Sequence, residues 1–143
     1  MKKRNREYYK KNRVKICKKQ IDVYMPNTIK KIGELVSDEI LVLYDQYPFE
    51  TYETYLRAKL KACGLRKNNL AFDECYEAAM VGYMYSIHRC AYMHYSHVEY
   101  YIKFMIQRCI TIGLVLANQM QYDLKNANLE IVYLDGEMNR NKY

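Results

Sequence analysis

Apolar positions along this chain recur every three to four residues, the period of a helix with one buried face, and the strict alternation of a half-buried strand is scarce. The clearest run places Ile29, Ile32, Leu35, Val36, Ile40 and Leu43 on one stripe. It predicts a helix that Pro26 and Asn27 open, because proline is pre-set for a first helical turn, and that ends at Tyr47-Pro48. A basic helix over 3–20 precedes it, and the Met25-Pro26 step should interrupt the two because a residue before proline avoids the α region. A third helix over 49–63 carries Phe49, Tyr52, Tyr55, Leu56 and Leu60, stops at Gly64 and is followed by the polar turn Arg66, Lys67, Asn68, Asn69. Helices over 73–90 and 96–118 follow, with Asp73 and Ser96 as N-caps. Only 129–134 reads as extended. The expectation is an all-α fold: a single compact domain of four to five helices, a basic N-terminal arm over 1–22, a helical body over 23–135, and a short extended C-terminal segment with a tail over 136–143.

Composition sharpens this picture. At 143 residues and 17.3 kDa the length suits one domain, and with 50% hydrophobic against 27% charged residues the chain can bury a core. No uninterrupted apolar run approaches the length of a bilayer span, and no apolar segment backs the basic N-terminus, so neither a membrane span nor a secretory signal is expected. That places the protein in the cytoplasm. Five Cys at 17, 63, 75, 90 and 109 are odd in number, widely spaced and without a CxxC pair, which reads as reduced core thiols rather than a disulfide framework or zinc ribbon. Seventeen Tyr and no Trp, with many Lys, Asn and Ile, resemble the product of AT-rich coding, as in a low-GC bacterium or its phage.

The charge is unevenly placed. Ten Lys and Arg fall within residues 1–20 against the single acid Glu7, while the remainder carries 13 basic and 15 acidic residues. Clustered cations gain from counterion release on a phosphate backbone, so Lys2, Lys3, Arg4, Arg6, Lys10, Lys11 and Arg13 are candidate DNA contacts; the plainer reading is a solubilising extension. Catalytic chemistry finds little purchase. His88, Cys90, His94 and His97 fall within ten residues but match no finger spacing, no nucleophile elbow or H-E-x-x-H helix occurs, and glycine appears only singly. The chain is expected to be no enzyme and to hold neither a metal nor a cofactor.

The last long helix has two faces. Val98, Ile102, Met105, Ile106, Cys109, Ile112 and Gly113 form a core stripe, and Tyr101, Phe104, Arg108 and Thr111 an arc of about 80° beside it. Rings stack on unpaired bases, and Arg and Thr hydrogen-bond base edges or phosphate, so this arc suits single-stranded DNA; alternatively its rings widen the core stripe.

Residues 73–90, DECYEAAMVGYMYSIHRC, resemble the D-D-L-x-Q-E-G-x-I-G-L-x-x-A-I-x-x-F helix in region 2 of bacterial sigma factors. Without a gap, Val98, Tyr101, Ile106 and Ile110 fall on that family's next helical pattern, and V-Y-L-D at 132–135 is similar to the V-S-L-D that often follows. The resemblance implies that the helix over 73–90 docks on the RNA polymerase core, through Asp73, Glu74, Glu77 and Tyr83, and that Tyr101, Phe104, Arg108 and Thr111 capture the unwound −10 promoter element. The sequence departs from the family at Glu77-Ala78 in place of Gln-Glu, at Cys90 in place of an aromatic, in a connecting turn without glycine, and at Phe104-Met105 where two Trp are common. No C-terminal helix-turn-helix is expected, so upstream DNA would be held by the basic arm, by a separate subunit supplying −35 recognition, or not at all. The resulting expectation is a divergent, phage-type sigma-like initiation factor whose partners are core polymerase and promoter DNA. The rival expectation is a non-enzymatic helical interaction or structural protein, such as a virion component or an inhibitor of a host nucleic-acid machine.

Overall fold

The computed structural model describes residues 2–66 and 70–127, with side chains over 11–66 and 70–119. Six α-helices carry the chain: α1 (Lys2–Lys19), α2 (Met25–Leu35), α3 (Ser37–Gln46), α4 (Phe49–Ala62), α5 (Leu70–Met93) and α6 (Val98–Ala127), with a π-helical turn Gln20–Tyr24 joining α1 to α2. The architecture is all-α, one compact helical domain without a strand among the described residues. The extended segment expected over 129–134, the V-Y-L-D at 132–135, the tail over 136–143 and the turn residues 67–69 lie outside the described residues.

The pair α5·α6 is the centre of the molecule. The core stripe expected on α6 is buried at every position, with Ile102, Ile106 and Cys109 fully enclosed. Burying each isoleucine contributes about 1.5–3 kcal/mol. Opposite it α5 presents small residues, Ala71, Cys75, Ala78, Ala79, Gly82 and Ser86, all buried. Small side chains let the two backbones approach closely. A Cβ on Gly82 would lie 2.8 Å from the Met105 carbonyl oxygen and 2.8 Å from Cys109 Sγ, and one on Gly113 would lie 2.8 Å from Cys75 Cα. The 22 residues Val98–Gln119 are long and apolar enough to cross a bilayer, with mean hydropathy 1.3, yet packing in this core accounts for the same apolarity.

Against this pair α4 contributes Tyr52, Leu56 and Leu60, and α2 and α3 contribute Ile32 and Ile40. Tyr44, Phe49 and Tyr52 surround Tyr83, with ring centroids at 5.8, 5.4 and 6.1 Å, and the Tyr83 hydroxyl donates to the Tyr47 carbonyl. Burial pushes the phenols of Tyr44 and Tyr52 up to about 12. Of the five cysteines expected in the core, Cys17, Cys75, Cys90 and Cys109 are buried and Cys63 is exposed at the C-cap of α4. Burial raises the thiols of Cys75 and Cys109 to about 12 and that of Cys90 to about 11, so the three stay protonated.

Several boundaries differ from expectation for local reasons. The helix expected over 26–47 breaks at Val36, whose φ of −134° and ψ of 48° leave the α region. The break makes Val36 the last acceptor-bound residue of α2 and the first acceptor for α3, its N–H donating to the Ile32 carbonyl and its carbonyl accepting from Ile40 N–H. It does rotate the stripe, leaving Leu35 67% exposed while Ile32 and Ile40 are buried. Nor does Met25-Pro26 interrupt the helix. Met25 keeps α geometry and donates five residues back to the Gln20 carbonyl, a wide turn that makes room for a proline ring otherwise in conflict with the Asp22 carbonyl. α5 begins before Asp73, which therefore sits inside the first turn, and α6 begins at Val98, where the His97 carbonyl accepts from Tyr101 N–H; neither Asp73 nor Ser96 holds an N-cap.

Two helix ends show how turn chemistry is solved. At the end of α4, Leu65 N–H donates to the Leu60 carbonyl and Gly64 N–H to that of Lys61, a Schellman motif with Gly64 at φ 79° and Leu65 buried against the core. At the end of α5, Tyr95 N–H donates to the Cys90 carbonyl in the same pattern, but the left-handed position is held by His94 at φ 55°.

Gly82→Ala should destabilise the protein by about 1–3 kcal/mol in urea denaturation, the overpacking cost exceeding the helix-propensity gain of about 1 kcal/mol. Gly33→Ala, whose Cβ meets nothing nearer than 3.8 Å, should be neutral or stabilising in the same measurement. His94→Gly should raise stability by about 1 kcal/mol, because a non-glycine residue in the left-handed region is strained.

Candidate nucleic-acid interface

The basic N-terminal segment does not stand off the body. α1 kinks at Asn12, where φ is −113° and ψ 17°, and from there Val14, Cys17 and Ile21 pack on Ile112, Val115 and Leu116 of α6. The spacing 14, 17, 21 is itself a helical stripe, which the Lys and Arg around it obscured. The arm expected over 1–22 thus joins the folded body from Val14 onward. Its cations Lys11 and Arg13 are exposed beside α6; the side chains of Lys2, Lys3, Arg4, Arg6 and Lys10 lie outside the described residues.

The arc foreseen on α6 is present. Phe104 is 47% exposed, Arg108 and Thr111 are exposed, and the Thr111 hydroxyl donates to the Gln107 carbonyl at 3.3 Å. Tyr101 is half-buried, its ring 5.4 Å from that of Tyr95. Burial, then Tyr85, raises the Tyr101 phenol, and Arg89 opposes the shift. For Arg89 itself burial works against the charge, and Tyr85, Tyr101 and Tyr95 more than offset it. Tyr100, which the sequence reading passed over, is 73% exposed and stacks on Phe104 at 6.5 Å and 16°. Its position four residues before Phe104 was the available signal. Between α4 and α6, Lys59 and Lys103 both lie over the Tyr55 ring, at 5.3 and 5.4 Å.

Four adjoining clefts follow this ridge. One of 170 Å³ lies between Tyr24, Thr28, Tyr85, Tyr101 and Arg108, and one of 220 Å³ between Arg13, Cys17, Gln20, Arg108 and Thr111. A third of 510 Å³ is bounded by Lys59, Cys63, Phe104, Arg108 and Thr111, and a fourth of 620 Å³ by Lys11, Arg13, Thr111, Asn118 and Gln119. Lys11, Arg13, Lys59 and Arg108 line them, and among the described residues no carboxylate does. The walls combine aromatic, cationic and neutral polar groups, a lining that favours a polyanion carrying flat rings.

The expected polymerase-docking residues divide. Asp73 and Glu77 are exposed on α5, and the strip continues through Met80 and Met84, each 38% exposed, which the sequence reading did not single out. Glu74 is partly covered, its carboxyl raised by burial, then by Glu77 and Asp22. Tyr83 is corrected: it is 4% exposed, enclosed by the rings of Tyr44, Phe49 and Tyr52, and its role is in the core. The histidines also disperse. His88 is buried with Nδ1 2.7 Å from the Met84 carbonyl, burial lowering its pKa, while His94 and His97 are exposed in the turn. No group of three His, Cys, Asp or Glu that could hold a metal ion occurs among the described residues.

No family model, curated protein or solved structure matches the chain.

A carboxyl whose pKa is raised by folding favours the protonated folded state, so ionised Glu74 lowers stability at neutral pH. Glu74→Gln should raise the melting temperature at neutral pH, and the difference should vanish as pH falls through the carboxylate range.

Proposed function

We propose that this protein is a non-enzymatic, sigma-like nucleic-acid-binding factor that engages unpaired −10 promoter DNA along α6 while α5 docks on RNA polymerase. The observation that carries the reading is the ridge of Phe104, Arg108 and Thr111, bordered by clefts whose ionisable lining among the described residues is Lys11, Arg13, Lys59 and Arg108, with Cys63 and Cys17, and no carboxylate. An exposed ring beside exposed cations is what unpaired bases and their phosphates require. The sequence resemblance supplies the register: Tyr101, Phe104, Arg108 and Thr111 take the capture positions, with Tyr101 packed against Tyr95 and Phe104 offering the open face. For polymerase, the exposed strip of Asp73, Glu77, Met80 and Met84 supplies the surface.

The rival reading, a helical interaction or structural protein without DNA contact, draws on a different observation. Leu35 and Leu41 are each 67% exposed and Val42 54%, an apolar display around the α2–α3 break that a protein partner would cover.

Fluorescence anisotropy on the core-polymerase complex, with a −10 oligonucleotide in unpaired and duplex form, separates the two. The proposal expects preference for the unpaired strand, and Phe104→Ala to weaken it by about 1–3 kcal/mol while leaving polymerase binding and the circular-dichroism spectrum intact. Failure to bind the polymerase, or equal affinity in the variant, would transfer the assignment to the rival.

A further inference from the structure

We infer that α1 and α6 form one phosphate-gripping cleft, in which Arg13 and Arg108 act jointly on the backbone of a single nucleic-acid strand. The inference rests on the nucleic-acid reading and assigns the α1–α6 seam a role of its own. Arg13 and Arg108 come from helices far apart in sequence, yet both line the same 220 Å³ cleft, with Gln20 and Thr111 as neutral hydrogen-bonding groups. The adjoining 620 Å³ cleft shares Arg13 and Thr111 and adds Lys11. Both arginines are exposed, and no ion pair joins either to a carboxylate among the described residues. Two guanidiniums that line one cleft repel each other. A phosphodiester strand lying along the seam removes that repulsion and offers oxygens to both forks.

The position of the cations is fixed by packing. Cys17 is 3% exposed against Ile112 and Val115, and on a helix turning 100° per residue Arg13 lies about 40° from Cys17, whereas Lys15 and Lys19 lie about 160° away. A delocalised basic tail would use all of these charges alike. A cleft uses Arg13 and leaves Lys15 and Lys19 facing solvent.

The test is a double-variant cycle on the full chain, with a labelled single-stranded oligonucleotide as probe, titrated over a range of salt concentrations. Arg13→Ala and Arg108→Ala should each weaken binding by about tenfold and reduce the salt slope by about 0.7, the value for one single-strand phosphate contact. Their combination should lose clearly less than the product of the two, because each arginine works through the same phosphates. Lys15→Ala and Lys19→Ala should stay near the parent. Equal losses at Arg13, Lys15 and Lys19, or strictly multiplicative losses for the arginine pair, would overturn the cleft while leaving the nucleic-acid reading intact. Failure of the parent chain to bind any oligonucleotide would remove both. Polyglutamate should not displace the strand, and displacement at matched charge would overturn the phosphate assignment. All four substituted side chains lie at the surface or its clefts, and unchanged thermal melts verify the fold.

Discussion

The arrangement of the described helices is referred to the contact of α5 with α6, where the large apolar residues of α6 pack on small residues of α5 and glycine and sulfur let the backbones touch. Gly82 faces Met105 and Cys109, and Gly113 faces Cys75, so the backbones touch at two places along the pair. Close approach of this kind tolerates no added atom and leaves few alternative registers, because sliding either helix by one residue would drive a Cβ into a backbone. The pair thereby fixes which α6 residues face outward.

That orientation determines what the other helices can do. With the Ile102 and Ile106 side of α6 closed against α5, its remaining faces receive α4 on one side and α1 on the other, and the ridge between them carries Phe104, Arg108 and Thr111. The clefts are therefore by-products of helix packing, lined by whatever the two flanking helices display. Here the display is cationic and aromatic. A groove built this way is anchored at the buried Cys17 seam, and its polar lining comes from side chains that contribute little to the core.

Where periodicity was uninterrupted, the sequence was readable. The buried stripe of α6, the Gly64 stop and the aromatic face of α4 all follow from spacing and turn chemistry alone. Three things were hidden by competing signals. Val36 is apolar and sits on the expected stripe, so its departure from helical geometry has no local mark; Pro26 should have ended a helix, but a wider turn absorbs it. The third was α1, where a three-residue apolar stripe lay inside a run dominated by Lys and Arg and charge was read before periodicity. At the site, the exposure of Phe104, Arg108 and Thr111 was foreseeable from the helical wheel. The enclosure of Tyr83 was not, because it depends on rings contributed by Tyr44, Phe49 and Tyr52, more than thirty residues earlier in the chain.

The π turn at Gln20–Tyr24 has a wider meaning for how this fold could have arisen and could vary. A π turn amounts to one residue inserted into an α-helix, and one residue is a rotation of about 100° for everything on its far side. Upstream of the turn the chain meets α6 through Cys17, and downstream it meets α5 near Gly33 and His88. The single extra residue thus acts as a rotary coupling between two docking surfaces that a uniform helix could not satisfy together. In a lineage of such chains, gaining or losing one residue there would present a different side of α1 to α6 while leaving α2 seated, changing the charge pattern of the cleft in one genetic step without substituting any of the charged residues of α1.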